Sequence, residues 1–183
     1  MKGLVIVGDL FEDTELLGTI DVLLRHNESI TIASMMKRKE VISKCGIKMN
    51  VDALIEEINL QDYDFLFIPG GPGSFKILAN IKEVDDVIDY FVNHNKLVTA
   101  ICAAPMLIGR RGYFKGQNYT VHPGFEQNIV GGNYLRDQGV VVSNKFITAK
   151  SMYYSIELGL KIIEYYYGQK ESEKLRLSLQ GEK

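Results

Sequence analysis

The segment TAICAAP, residues 99–105, contains Cys102, one of only two cysteines in the chain. An apolar run ends at this cysteine, and two alanines and a proline follow it. At a strand-to-helix junction a thiol faces unpaired backbone N–H groups, which lower its pKa. The small neighbours leave the sulfur accessible. The pattern therefore indicates a nucleophile elbow, and an inert core thiol is the alternative.

A candidate acid, Glu15, lies in the segment FEDTELL, where several carboxylates begin a predicted helix. Carboxylates in a first helical turn commonly cap the helix or offset its dipole. Because Glu15 precedes Leu16 on the predicted buried face, we expect its side chain to point toward the sheet edge. A buried carboxyl beside a thiolate would be protonated and could donate a hydrogen bond to sulfur.

The third candidate is His122, which follows a short apolar strand in the segment YTVHPG. The other two histidines, His26 and His94, lie near the ends of predicted helices in polar surroundings, as surface residues do. A cysteine with a histidine nearby in space forms a nucleophile–base pair. The sequence does not show whether His122 and Cys102 are neighbours.

A pair of glycines, Gly70 and Gly71, follows a buried strand in the segment IPGGPGS. The segment matches neither the phosphate-binding loop nor the dinucleotide fingerprint. Backbone N–H groups at such a turn can form an oxyanion hole, which makes both glycines candidates for binding substrate. A tight turn that requires a positive φ is the alternative interpretation.

Short apolar runs alternate with helical patterns along the chain. Predicted strands are KGLVIVGD, SITIASM, YDFLFIPGG, KLVTAIC, NYTV, GVVVS and KFITA. Predicted helices are the leucine-rich segment after Asp13, VDALIEEI, EVDDVIDYFVNHN, APMLIGRRGY beginning at Pro105, and SMYYSIELGLKIIEYYYG capped by Ser151 and Gly168. Continuously apolar strands are buried on both faces, which predicts an α/β fold: a flavodoxin-like three-layer sandwich with a mostly parallel central sheet and helices on both faces. The loops GDLFEDTE, PGGPGS and CAAP should then converge at one sheet edge.

Composition narrows the possible functions. With 183 residues, we expect a single domain over residues 1–168 and a polar C-terminal helix or tail over 169–183 of the same domain. The net charge is −2 with no basic stripe, so nucleic acid is not an expected partner. The apolar stretch GLVIVG is too short for a signal or a membrane span, so we expect a cytoplasmic protein. The scattered cysteines and histidines have no metal-ligand spacing, and neither a metal nor another cofactor is expected.

Several segments together resemble the ThiJ/PfpI superfamily, whose fold is related to the class I glutamine amidotransferases. They are EDTELLGTIDVL, FLFIPGGPG, TAICAAP, YTVHPG and IELGLKIIE, in the family's order and over nearly the whole chain. The nearest branch is that of the parkinsonism-linked protein deglycase and its bacterial relatives. The protease-like branch has a histidine directly after the cysteine, where this chain has Ala103.

The resemblance implies a role for each matching residue. Cys102 corresponds to the oxidation-prone nucleophile, Glu15 to the acid that hydrogen-bonds it and His122 to the nearby histidine, while the amides of Gly71 and Ala103 correspond to the oxyanion donors. It also implies a homodimer with the first helix near the interface. One segment departs from the family, because Lys150, Ser151 and Met152 replace an Arg-Gly-Pro-Gly-Thr-like loop. The second cysteine, Cys45, has no matching catalytic role. We interpret it as structural, and a redox partnership is the alternative.

Four functions fit these patterns. The first is a cofactor-independent enzyme that acts on reactive aldehydes, or on their adducts with proteins, through Cys102 as in glyoxalases and deglycases. The second is an oxidative-stress sensor or chaperone that uses oxidation of the same sulfur. The third is an intracellular peptidase or amidase, which the residue after Cys102 disfavours. The fourth is a small-molecule binding domain with an inert thiol.

Overall fold

The computed structural model describes residues 1–182, and within them strands and helices alternate as the sequence pattern predicts. The strands are β1 (Lys2–Val7), β2 (Ser29–Ser34), β3 (Glu40–Ile42), β4 (Lys48–Asn50), β5 (Ala53–Leu54), β6 (Phe65–Ile68), β7 (Leu97–Ile101), β8 (Asn118–Tyr119), β9 (Asn133–Tyr134), β10 (Val140–Ser143) and β11 (Phe146–Ala149). The helices are α1 (Asp13–Arg25), α2 (Pro72–Lys76), α3 (Lys82–Asn93), α4 (Pro105–Gly109), α5 (Ser155–Tyr167) and α6 (Gln169–Leu179). Short 3₁₀ turns join several of them.

Seven of the strands form the central sheet, in the order β10-β11-β7-β6-β1-β2-β5. Every neighbouring pair in it is parallel except β10 and β11, which are antiparallel. The predicted mostly parallel sheet is therefore confirmed. Two small ribbons, β3 with β4 and β8 with β9, lie outside it.

Alternation along β1 explains why helices cover both faces of the sheet. Leu4 and Ile6 belong to one buried apolar cluster, and Val5 and Val7 belong to another. The first cluster includes the apolar faces of α3 and α4, and the second includes those of α1 and α5. Successive side chains on a strand point to opposite faces, so a strand covered on both sides reads as an unbroken apolar run.

The order of the strands reverses between β1 and β6, and the loops that follow these strands meet there. The N–H of Glu12 donates to the carbonyl of Gly70 at 3.1 Å, and the N–H of Gly73 donates to the carbonyl of Leu10 at 2.9 Å. The loop after β7 joins them through Cys102. The predicted convergence is thus confirmed, at the edge where open α/β sheets bind their ligands.

One predicted helix, over residues 51–58, is wrong. Residues 53–54 form β5, which pairs with β2, and a 3₁₀ turn follows over residues 55–57. The Asp52 side chain accepts from the N–H of Ile32 at 2.8 Å, which fixes this segment against β2. Pairing with the sheet edge outweighs the weak helical preference of an eight-residue segment.

The predicted cap at Ser151 is also wrong. A 3₁₀ turn spans residues 152–154, α5 begins at Ser155, and the side chain of Ser151 makes no capping hydrogen bond. The end of α5 at Gly168 is as predicted, with φ at +87°.

In the C-terminal segment, α6 packs on α5 through buried Leu175 and a hydrogen bond from Ser172 Oγ to the Leu160 carbonyl at 2.9 Å. The last residue of the predicted tail, Lys183, lies outside the described residues.

Candidate functional site

Cys102 has a backbone conformation that few residues with a side chain adopt, with φ at +63°. Its N–H donates to the Ala149 carbonyl at 2.9 Å, and its carbonyl accepts from the His122 N–H, also at 2.9 Å. These two bonds hold the residue between the end of β7 and the beginning of α4. Strained residues of this kind cluster where the surrounding structure must hold a reactive group in place.

Three groups hydrogen-bond the sulfur of Cys102. Two are backbone N–H groups, from Gly71 and Ala103, and the third is the carboxyl of Glu15. The thiol is partly exposed, whereas Ala103 and Glu15 are buried. Elements far apart in sequence, the first helix and the loops after β6 and β7, thus surround one accessible sulfur.

Glu15 lies in the first turn of α1 and is 1% exposed. Its Oε2 accepts a hydrogen bond from the N–H of Gly70 at 2.9 Å. Burial raises the pKa of this carboxyl to about 7, and the hydrogen bond from Cys102 offsets part of that rise. A carboxyl with this pKa can act as a general base near neutral pH.

The same surroundings raise the pKa of the Cys102 thiol to about 12, because the protein removes most of the water around it and Glu15 places a negative charge beside it. The amides of Gly71 and Ala103 act in the opposite direction. The expectation that the helix N-terminus lowers this pKa is therefore wrong while Glu15 is ionised. The protonation of the carboxyl and that of the thiol therefore depend on each other.

The ring of His122 does not reach the sulfur in this structure. It is exposed, and its Nδ1 lies 3.1 Å from the Pro123 carbonyl. A carbonyl only accepts, so Nδ1 is the donor in this contact. No hydrogen bond joins this ring to Cys102 or Glu15 among residues 1–182. The structure brings the His122 backbone to the elbow and leaves the ring beside Phe125, with centroids 6.2 Å apart.

The two glycines have different roles. Gly71, with φ at +88°, directs its N–H at the sulfur, as the oxyanion interpretation requires. The N–H of Gly70 is bonded to Glu15 and is not free for a substrate, so the structure assigns it to positioning the carboxyl instead.

The segment that departs from the family pattern lies next to the elbow. Ala149 accepts the Cys102 N–H, and the N–H of Lys150 donates to the Gly139 carbonyl at 2.8 Å. Beyond it, Met152 is 50% exposed and Tyr153 is 84% exposed. This segment therefore presents large exposed apolar side chains shortly after the residue that accepts the Cys102 N–H.

The second cysteine, Cys45, is exposed at the tip of the β3–β4 ribbon. Its thiol lies beside the Asp13 carboxyl, which raises the pKa of the thiol. Residues 1–182 contain no cluster of three histidine, cysteine or acidic side chains that could hold a metal ion. Within the same residues, every helix is too short or too polar to cross a membrane.

Sequence reasoning missed two residues near the site. Glu12 is the N-cap of α1, and its Oε2 accepts from the N–H of Glu15 at 2.7 Å. The signal was present, since Glu12 and Glu15 have the spacing of a capping box. The other, Lys44 in the β3–β4 ribbon, lies 3.2 Å from Glu12 Oε1, and nothing in its local sequence indicates this pairing.

The chain is similar to named proteins over most of its length. The chain is 30% identical to a deglycase from Pyrococcus abyssi over 82% of this chain and 90% of the relative. It is 28% identical to a glutathione-independent glyoxalase, DJR-1.2, from Caenorhabditis elegans, over 90% of this chain and 87% of that one.

Solved structures show the same fold. Oxidized DJ-1 from Toxoplasma gondii has a TM-score of 0.88 at 27% identity, covering 98% of this chain and 97% of its own. DJ-1beta from Drosophila melanogaster has a TM-score of 0.90 at 25% identity, with the same coverage. The pattern of the DJ-1/PfpI family matches residues 1–165, and this chain belongs to that family.

Proposed function

We propose that this protein is a cofactor-independent enzyme that converts small reactive aldehydes, or releases them from protein adducts, through Cys102. The observation that carries the proposal is the sulfur itself, held at a strained elbow between two N–H donors and a buried carboxyl with a pKa of about 7. The relatives named deglycase and glyoxalase support the same class of reaction.

The first step is attack of sulfur on the aldehyde carbon. Because the thiol is neutral at rest, Glu15 removes its proton as the sulfur–carbon bond forms. The carbonyl electron pair moves to oxygen, and the N–H groups of Gly71 and Ala103 stabilise the resulting oxyanion. The proton that Glu15 took from the thiol then passes to this oxygen, which gives a hemithioacetal on Cys102 and restores the carboxylate.

An α-oxoaldehyde such as methylglyoxal can then rearrange without an external oxidant. The hydrogen on the former aldehyde carbon leaves as a proton, and a proton adds to the neighbouring carbonyl carbon, which gives a thioester. Water hydrolyses the thioester, releases a 2-hydroxy acid and restores the thiol. The aldehyde carbon is oxidised while its neighbour is reduced. His122, whose Nε2 is not used in the contact with Pro123, is our candidate for a proton carrier in this step.

The test is turnover of methylglyoxal, with lactate as the measured product. Wild type should form lactate, and Cys102→Ala and Glu15→Gln should each lose nearly all of this activity. A glycated peptide, followed beside a sample without enzyme, separates release of an adduct from capture of free aldehyde. Equal lactate formation by wild type and Cys102→Ala would exclude the mechanism.

Oxidation sensing is the second candidate. The amides of Gly71 and Ala103 could hold the oxygens of an oxidised sulfur, and the Toxoplasma gondii relative was solved as oxidized DJ-1. Peroxide would transfer oxygen to sulfur and leave as water. The raised pKa of Cys102 disfavours this reaction, because thiolate is the form that oxidises. Intact mass after mild peroxide treatment tests it: two added oxygens on Cys102 would support it, and an unmodified Cys102 would exclude it.

A peptidase or amidase fits less well. That reaction needs a base that activates the nucleophile and then protonates the leaving amine. Glu15 could activate the thiol, but the Gly70 N–H holds its carboxyl at the sulfur. Among residues 1–182 no hydrogen bond brings the His122 ring to the sulfur, where it could protonate a leaving amine.

We further propose that two copies of the chain associate through α1 and the beginning of α5. Gly18 and Ser155 lie at the contact of these helices, where Thr19 Oγ1 donates to the Ser155 carbonyl at 3.1 Å. Beside this contact, four large apolar side chains are 50% exposed or more: Leu17, Met152, Tyr153 and Ile156. An apolar cluster of this kind next to a site is typical of an interface.

A further inference from the structure

The tip of the β3–β4 ribbon, residues 42–45, holds the segment that leads into α1. The N–H of Leu10 donates to the Ile42 carbonyl at 2.7 Å, and the N–H of Lys44 donates to the Phe11 carbonyl at 2.9 Å. The Asp13 carboxyl faces the side chains of Ser43 and Cys45. The ribbon therefore fixes the backbone immediately before the turn that carries Glu15.

One contact of this ribbon is ionic. Lys44 Nζ lies 3.2 Å from Glu12 Oε1, and the side chain of Glu12 is only 7% exposed while that of Lys44 is 36% exposed. The other oxygen of Glu12 accepts from the N–H of Glu15 at 2.7 Å. Burying a carboxylate beside a second buried carboxyl is costly unless a cation compensates for its charge.

We propose that Lys44 is a positioning residue for the reaction: through its ion pair with Glu12, it holds the Glu15 carboxyl between the Gly70 N–H and the Cys102 thiol. The inference rests on the proposed function of Glu15 as the base. Lys44 lies outside the elbow that β7 and α4 form. In this proposal it fixes the position of the carboxyl that acts as the base on Cys102.

Three titratable groups face Glu15 in this structure. They are Cys102 from the elbow, Glu12 from the loop before α1, and Lys44 from the ribbon. The negative charge of Glu12 raises the pKa of Glu15, and the positive charge of Lys44 lowers it. The hydrogen bond to Glu12 raises the pKa of Lys44, which keeps the ammonium charged at neutral pH.

This arrangement predicts opposite effects for the two partners. In Lys44→Met the charge of Glu12 is no longer balanced, so Glu15 holds its proton to higher pH. In Glu12→Gln the amide oxygen still caps Glu15 while the negative charge is gone, so Glu15 loses its proton at lower pH. A merely structural role would reduce activity in both variants without moving the two pH profiles in opposite directions.

The experiment measures the pH profile of kcat/KM for methylglyoxal in the full-length protein. On the acidic limb we expect kcat/KM to fall about two- to five-fold in Lys44→Met, which is the effect of removing one partly screened charge. Lys44→Arg should restore the wild-type profile. Lys48→Met is the matched control, because Lys48 lies in the same ribbon, is 68% exposed and pairs with Glu40 instead.

A second readout does not depend on turnover. The rate at which iodoacetamide alkylates Cys102 is followed by mass spectrometry of the peptide that contains this residue. This rate should rise with pH over the same range as kcat/KM, and Lys44→Met and Glu12→Gln should shift that rise in opposite directions. If alkylation follows this pattern but methylglyoxal is not converted, the proposed function fails and the positioning role stands. If Lys44→Met leaves both profiles in place, or moves them as Lys48→Met does, the positioning role is excluded.

Discussion

The carboxyl of Glu15 and the thiol of Cys102 meet across Gly70, the residue that follows β6 and Pro69. A Cβ added at Gly70 would lie 2.5 Å from Glu15 Oε2 and 2.6 Å from Cys102 Cβ. Both separations are too short for a real contact. The first helix and the elbow can therefore bring acid and nucleophile together only because position 70 has no side chain.

Gly70→Ala should damage both the site and the fold. The added methyl group would force Glu15 and Cys102 apart, and overpacking of this kind costs about 1–3 kcal/mol of unfolding free energy. We expect most of the turnover to be lost, and urea denaturation to show the lower stability.

Gly8→Ala is the matched control for this change. It lies at the same sheet edge, but its nearest neighbour is the end of the flexible Leu78 side chain at 3.0 Å. A Gly70→Ala protein with normal stability and turnover would show that the site tolerates a wider separation.

The strain at Cys102 can be measured by a pair of substitutions that both remove the thiol. With φ at +63°, a side chain costs about 1 kcal/mol that glycine avoids. Cys102→Gly should therefore be more stable than Cys102→Ala by roughly this amount, less the entropy that glycine gains in the unfolded chain. Both variants should be inactive. A Cys102→Gly protein that is less stable than Cys102→Ala by about 0.5–1 kcal/mol, the whole entropy difference, would mean that the elbow stores no strain.

Much of this arrangement could be predicted from local pattern. The strand and helix around Cys102, the convergence of three loops and the inward direction of Glu15 follow from apolar periodicity and parallel-sheet topology. The elbow cysteine is recognisable because the apolar run stops at it and Pro105 then begins a helix.

What could not be predicted depends on contacts between distant segments. The pKa of Cys102 is raised by burial and by the negative charge of Glu15, which lies far from it in sequence. The ion pair of Lys44 with Glu12 depends on how the β3–β4 ribbon packs against the beginning of α1. The orientation of the His122 ring depends on the Pro123 carbonyl. No local pattern encodes these contacts, since each depends on how separate elements pack.

Activity should depend on pH through Glu15. Because the pKa of this carboxyl is about 7, the base form grows as the pH rises through that value. We expect kcat/KM for methylglyoxal to increase about tenfold per pH unit below 7 and to level off above it. Glu15→Gln should lose this limb along with most of the rate. A wild-type profile that is flat between pH 5 and 8 would contradict a role for Glu15 as the base.

The proposed dimer can be tested by placing charge in the apolar cluster. Tyr153→Lys and Leu17→Lys should convert a dimer to a monomer, because a charge is costly to bury in an apolar interface. Light scattering coupled to size-exclusion chromatography measures the mass directly. Val142→Lys is the control, since Val142 is 46% exposed on β10, outside the cluster. A wild-type protein that elutes as a monomer at high concentration would exclude the interface.

The buried carboxyl should also make the fold less stable at neutral pH than in mild acid. The pKa of Glu15 rises from 4.5 to about 7 on folding, so the folded state binds this proton more tightly than the unfolded chain does. Its contribution is fully present below pH 4.5 and is lost as the pH rises through 7, an overall change of about 3 kcal/mol. Glu15→Gln has no such proton to lose, and its amide oxygen can still accept from Gly70.

We therefore expect Glu15→Gln to gain stability relative to wild type as the pH rises from 5 to 8, even though it loses activity. Urea denaturation at pH 5 and at pH 8 gives the free energy of unfolding of each protein. Subtracting the wild-type value at each pH removes the contribution of the groups that both proteins contain. Glu83→Gln is the control, because Glu83 is exposed on α3 and makes no ion pair within residues 1–182. If the Glu15→Gln difference is the same at both pH values, the carboxyl is not held in the desolvated position from which its role as a base follows.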